Sequence, residues 1–170
     1  MRILILSDLH GNTWALQAVL QAAGQVDAVL FAGDAVKSLP LYAVWAADGT
    51  RFALVHGSLR DPLYDYRPNP KAGDEALLEA AQTLRAEVVV FGHTYLPSVR
   101  RIGEKLFVNP GSAGQPLDRD PRASFALYED GRARLERVEY DLKGLLQPLE
   151  AMPLDPGRKE ELRLLYPEAR

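Results

Sequence analysis

Two largely apolar runs without alternation, Arg2–Ser7 and Ala28–Ala32, flank a segment with helical spacing, and this arrangement constrains the fold more than any other feature of the chain. Strands that lack alternation are buried on both faces, as in parallel sheets. Between them Leu16, Val19, Leu20 and Ala23 share one face of a helix predicted over Thr13–Ala23, with Asn12 as its N-cap and Gly24 as its stop. A strand–helix–strand unit of this kind demands a parallel pair joined by a right-handed crossover.

The next segments read differently. Leu41–Ala47 and Thr50–Val55 flank Asp48-Gly49, a strong signal for a two-residue hairpin. Residues 58–73, rich in Pro, Tyr and Arg, read as a loop. A helix is predicted over Asp74–Arg85, with Leu77, Leu78, Ala81 and Leu84 on one face, leading into the strand Val88–Phe91. From Pro97 the pattern is short strands: Ser98–Ile102, a turn at Gly103-Glu104, Lys105–Val108, Ser124–Glu129, a turn at Asp130-Gly131, and Arg132–Tyr140. The tail, residues 141–170, reads as helix broken by Pro148, Pro153 and Pro156. The expected fold class is α/β, one domain over residues 1–170, with two packed mixed β-sheets flanked by helices.

Composition narrows the function classes. A net charge of -3 without a basic cluster signals no nucleic-acid surface. The absence of cysteine excludes disulfides and thiolate metal sites. The N-terminal apolar run is too short for a signal peptide core or a membrane span, so a cytoplasmic location without membrane contact is expected.

All three histidines stand just after the end of an apolar run. His10 follows the first strand with Asp8 two residues before it, His56 follows Phe52–Val55, and His93 follows Val88–Phe91 and Gly92. Asp34 follows the second strand in the same way. Ligands in α/β sheets gather outside the carboxyl ends of the strands, where these residues would converge. One histidine after a strand is usually a hydrogen-bonded structural residue, and Asp34 alone could cap a turn. Three histidines all so placed, with none on a helix or in the tail, point instead to a metal centre. Imidazole and carboxylate together suit Mn, Fe, Zn or Co, as one divalent ion or two. An aspartate such as Asp34 can bridge two ions about 3.5–4 Å apart, which clamp a phosphoryl group and acidify a water.

The motifs Ser7-Asp8-Leu9-His10-Gly11-Asn12, Gly33-Asp34, His56-Gly57-Ser58, Gly92-His93-Thr94 and Asn109-Pro110-Gly111-Ser112-Ala113-Gly114-Gln115-Pro116 resemble, in order, the calcineurin-like metallophosphoesterases, and most of all their small prokaryotic phosphodiesterase branch. The resemblance implies an α-β-β-α sandwich with a two-metal site at the strand ends. Asp8 and His10 would hold one ion, Asp34 would bridge, and His56 and His93 would hold the other. Two departures stand out. Tyr95 occupies the place of a histidine in the family's Gly-His-Thr-His. The family's Asn-His turn, whose asparagine binds metal and whose histidine acts as acid, has no counterpart in the short interval from Asp34 to His56. Residues 35–40 are too few for a strand crossover, so one helix–strand unit is missing.

Further candidates surround this set. Tyr95 and Asn12 are possible metal or substrate contacts, and Asn109 is a possible ligand or a turn supporting the site. Arg60 could fork onto a phosphate, and Tyr64 or Tyr66 could stack on an organic leaving group. The expected function is hydrolysis of a small phosphate ester by a metal-bound hydroxide, with Asp8, His10 and Asp34 central to catalysis. The alternative is a degenerate relative that acts as a binding or scaffold protein. A sheet shortened by one strand exposes an edge, so pairing of two copies is also an expectation.

Overall fold

The computed structural model describes residues 1–33, 42–58 and 60–164. Asp34 and the interval of residues 35–40 therefore lie outside the described residues, as do Leu41, Leu59 and residues 165–170 of the expected helical tail.

The strand–helix–strand unit forms as β1 (Arg2–Leu6), α1 (Thr13–Ala23) and β2 (Ala28–Phe31), with β1 and β2 parallel and Ile3 opposite Ala28. Asn12 caps α1: its side-chain oxygen accepts from the Ala15 N–H at 3.0 Å. The hairpin is β3 (Tyr42–Ala47) and β4 (Thr50–Val55). Asp48 and Gly49 both have positive φ, 47° and 74°, as a type I′ turn requires. Then come α2 (Asp74–Ala80), β5 (Val88–Phe91), β6 (Ser98–Ile102), β7 (Lys105–Asn109), β8 (Ala123–Glu129), β9 (Arg132–Val138), α3 (Leu142–Ala151) and α4 (Pro156–Leu164).

These strands make two mixed sheets, β2-β1-β8-β9 and β3-β4-β5-β7-β6. In the second sheet β4, β5 and β7 run parallel, so the β4 and β5 ends that carry His56 and His93 lie side by side. Ile3, Ile5 and Leu30 from one sheet pack against Phe52, Leu54, Val90 and Val108 from the other. Outside the first sheet α1 buries Ala15, Val19 and Ala23 against Leu4, Leu6, Phe125 and Leu127. Outside the second, Leu77 and Ala81 cover Val55, Val89, Phe91 and Phe107. The layers are thus helix, sheet, sheet, helix, and among the described residues between Gly33 and His56 there is only the hairpin.

Two helices depart from the sequence expectation. Helix α2 stops at Ala80 rather than Arg85, because the bonds Gln82 N–H to Glu79 C=O (3.3 Å) and Leu84 N–H to Ala81 C=O (3.0 Å) span three residues and tighten the chain into turns. Pro148 sits inside α3 without ending it. That helix starts on an Asp141 side-chain cap and buries Leu149, so it persists despite the backbone donor that Pro148 lacks. No helix among the described residues is long and apolar enough to cross a membrane.

Phe52 joins the layers. It is fully buried, tilted against Trp45 at 5.4 Å and edge-on to Tyr128 of the opposite sheet at 5.0 Å. Phe52→Ala is expected to cost about 3–5 kcal/mol in urea unfolding. A loss under about 1 kcal/mol would mean that this contact does not hold the sheets together.

Candidate metal centre

Asp8 leaves β1 as a fully buried carboxylate. Its Oδ2 accepts from the Ser7 hydroxyl at 2.5 Å and from the His93 backbone N–H at 3.2 Å. The second bond crosses from one sheet to the other. The Asp8 N–H in turn donates to the Gly33 carbonyl at 3.0 Å, which ties the ends of β1 and β2.

His56 leaves β4 with its Nδ1 3.0 Å from the Ala32 carbonyl. A carbonyl only accepts, so Nδ1 carries the proton and the lone pair of Nε2 is directed inward. Metal-binding histidines are commonly oriented in this way. That Nε2 lies 3.1 Å from Nδ1 of His93 and 3.9 Å from Oδ1 of Asp8. Gly33 makes room for the ring. It has φ 101°, and a Cβ there would fall 2.7 Å from the His56 Nδ1. Gly92 does the same for Asp8, since its Cβ would lie 2.8 Å from Oδ2.

His10 is exposed and meets Tyr95. The Tyr95 hydroxyl is 3.0 Å from the His10 Nε2, and the rings stack at 5.6 Å with 12° between their planes. Asp8, His10, His93 and Tyr95 all have positive φ, from 51° to 63°. Non-glycine residues seldom adopt this region, and such strain concentrates at functional sites. The turns Asp8-Leu9-His10 and His93-Thr94-Tyr95 therefore share a backbone plan.

The remaining candidates divide. Asn109, fully buried, donates to the Gly92 carbonyl (3.1 Å) and the Thr94 hydroxyl (2.9 Å), and accepts from the Gly111 N–H (2.8 Å). It supports the turn that carries His93. Asn12 spends its amide N–H on the Gly114 carbonyl at 2.8 Å and its oxygen on the α1 cap. Arg60 is exposed and reaches Glu79 on α2 at 3.3 Å rather than the site. Tyr66 rests on His93, with ring centroids 3.9 Å apart. Sequence reasoning gave no role to Ser7 or Ser112, whose hydroxyls donate to the Asp8 carboxylate and, at 2.8 Å, to the Asp8 carbonyl. The only available signal was that both lie within the resemblance motifs.

The loop over the site is held by Asp65. Its carboxylate takes the two-pronged guanidinium of Arg67 and the Ser58 hydroxyl. The Arg67 bond above all holds the Asp65 carboxyl well below the usual carboxylate range, against the opposing effect of burial.

The chain matches the calcineurin-like phosphoesterase superfamily domain over residues 36–131, and the calcineurin-like phosphoesterase family over residues 1–50. It belongs to that superfamily. Solved structures agree at the level of fold. A metallophosphoesterase of Sphaerobacter thermophilus aligns with a TM-score of 0.76 at 24% identity, over 94% of this chain and 97% of that one. A hypothetical protein of Pyrococcus horikoshii gives 0.76 at 18% identity, over 97% of each chain. Zinc-complexed Vps29 of Entamoeba histolytica gives 0.51 at 22% identity, over 81% of this chain and 98% of that one. No curated protein sequence matches the chain.

The donors fit a divalent ion of the kind this superfamily generally binds. Two nitrogens bound to one ion at about 2.1 Å, at tetrahedral to octahedral angles, lie roughly 3.0–3.4 Å apart, which brackets the 3.1 Å between His56 and His93. Among the described residues, however, no group of three or more histidine, aspartate or glutamate side chains is so placed that it could hold a metal ion.

Imidazole nitrogen NMR tests the local geometry. His56 is expected to show the Nδ1-protonated tautomer in the metal-free protein, and Gly33→Ala should abolish that signature while circular dichroism stays unchanged. An Nε2-protonated His56 in the unaltered protein would contradict the bond to Ala32.

Proposed function

We propose that this chain is a metal-dependent phosphoesterase that hydrolyses a small phosphodiester, with Asp8, His56 and His93 at the core of its ion site. The observation that supports this most is the approach of the His56 Nε2 to the His93 Nδ1 (3.1 Å) and to the Asp8 Oδ1 (3.9 Å) at the ends of β4, β5 and β1, where Asp8 and His93 both have positive φ. His10 and Asp34 complete the proposed set, Asp34 as the bridging carboxylate next in sequence to Gly33. A divalent ion held there, Mn, Fe, Zn or Co, supplies the charge that draws in the phosphoryl oxygens and makes a water more acidic.

The chain's own groups do the rest. His56 keeps its Nε2 lone pair turned inward because Ala32 holds the proton on Nδ1. Ser7 and the His93 N–H hold the Asp8 carboxylate in one orientation, so little reorganisation is needed when the site loads. The Tyr95 hydroxyl shares a hydrogen bond with the His10 Nε2, and this engages the nitrogen that the family's plan assigns to an ion. The Asn-His turn that would protonate a leaving group is missing from the sequence. The leaving group must then depart largely unprotonated.

That requirement gives the test. With manganese supplied, a 4-nitrophenyl diester is expected to be cleaved on the order of 10²-fold faster than the phenyl diester of the same phosphate. Tyr95→His is expected to raise manganese retention. A second reading, in which the fold persists and turnover is lost, draws on Tyr95 and on the fold-level likeness to Vps29. It prevails if neither diester is cleaved with Mn, Fe, Zn or Co, in the natural chain or in Tyr95→His.

A further inference from the structure

Tyr66 stands apart from the other aromatic side chains around the site. Its ring packs on His93 at 3.9 Å with 36° between planes, yet the residue is 57% exposed. One face is therefore committed to the imidazole, and the exposed remainder of the ring is open to another planar group. By contrast Tyr64, 72% exposed in the same loop, has no ring partner among the described residues.

The backbone around Tyr66 is fixed. Asp65, on one side, is buried and held by Ser58 and Arg67. The Tyr66 carbonyl accepts from the Asn69 side chain at 2.9 Å, and Pro68 is buried. Upstream, the Gly57 N–H bonds the Pro62 carbonyl at 2.7 Å and the Asp65 N–H bonds the Asp61 carbonyl at 3.3 Å. A loop shaped only to shield His93 could do so with an aliphatic side chain. An exposed tyrosine with two rotatable bonds, on a backbone pinned from both sides, is instead an ordered aromatic surface that costs little entropy when a ligand settles on it.

We propose that Tyr66 is a stacking platform that makes the site prefer phosphate esters bearing a planar aromatic group. This rests on the phosphoesterase reading, since the phosphate must dock beside His56 and His93 for the aromatic group to reach Tyr66. Tyr66 is then a specificity-determining residue, and the ester's ring is held by an offset or tilted stack rather than by hydrogen bonds.

Phenylphosphonate and methylphosphonate separate this from the leaving-group effect, because both carry the same anion on a P–C bond that is not hydrolysed. With the manganese-loaded full chain, calorimetry is expected to show phenylphosphonate binding about threefold to tenfold more tightly. The preference should vanish in Tyr66→Ala and survive in Tyr66→Phe and Tyr64→Ala. Equal affinity for the two ligands in the natural chain overturns the inference and leaves the phosphoesterase reading standing. An equal loss for both ligands in Tyr66→Ala also overturns it, since that is what a mere shield over His93 would produce. Failure of both phosphonates to bind overturns the phosphoesterase reading and this inference with it.

Discussion

The hydrogen bond from the His93 N–H to the Asp8 carboxylate is the joint on which the site depends. Asp8 belongs to the end of a strand in one sheet and His93 to the end of a strand in the other. A fully buried carboxylate is costly unless donors meet it. Its donors include the neighbouring Ser7 and, from across the seam, the His93 N–H, so satisfying the charge also ties the two sheets together. The bond from His56 Nδ1 to the Ala32 carbonyl crosses the same seam in the same direction, from the second sheet to the first. Side-chain positions in the site and the alignment of the sheets are therefore one problem, solved by the same bonds.

Strain is distributed accordingly. Four residues in two short turns occupy the left-handed region, a choice that costs of order 1–3 kcal/mol at each non-glycine position. Residues 109–115 offset it. Asn109 holds the His93 turn, Ser112 and Gly114 bond the Asp8 carbonyl, and the Gly114 carbonyl accepts from Asn12. Gly114 approaches so closely that a Cβ there would overlap the Leu9 carbonyl. The segment that resembles a family motif thus acts as a clamp on the Asp8–His10 and His93–Tyr95 turns, and its small residues follow from that close approach.

Much of this was legible in sequence. The unbroken apolar runs announced doubly buried strands, and β1, α1 and β2 form with nearly the expected limits because cap, stop and hydrophobic face agree. Of the histidines placed just after strand ends, His56 and His93 lie side by side because β4 and β5 are parallel, whereas His10 meets Tyr95. What was not legible depends on side-chain directions that spacing does not encode. Arg60 follows the site motif, yet turns to Glu79 because that carboxylate lies beside it on α2. Tyr66 was one of two tyrosines in a loop without periodicity, and it packs on His93 in a loop held by the Asp65–Arg67 pairing and by Ser58 and Asn69. The bond between Tyr95 and His10 links turns 85 residues apart and could not be read locally.

The central claim is that Asp8, His56 and His93 surround one ion position at the seam. Anomalous X-ray diffraction at the manganese edge, on crystals grown with manganese, tests it most directly. The account expects a strong anomalous peak within coordinating distance of His56 Nε2 and His93, with the Asp8 carboxylate on the same ion. A manganese-loaded crystal with no peak between these residues, or with its strongest peak elsewhere in the molecule, would contradict it.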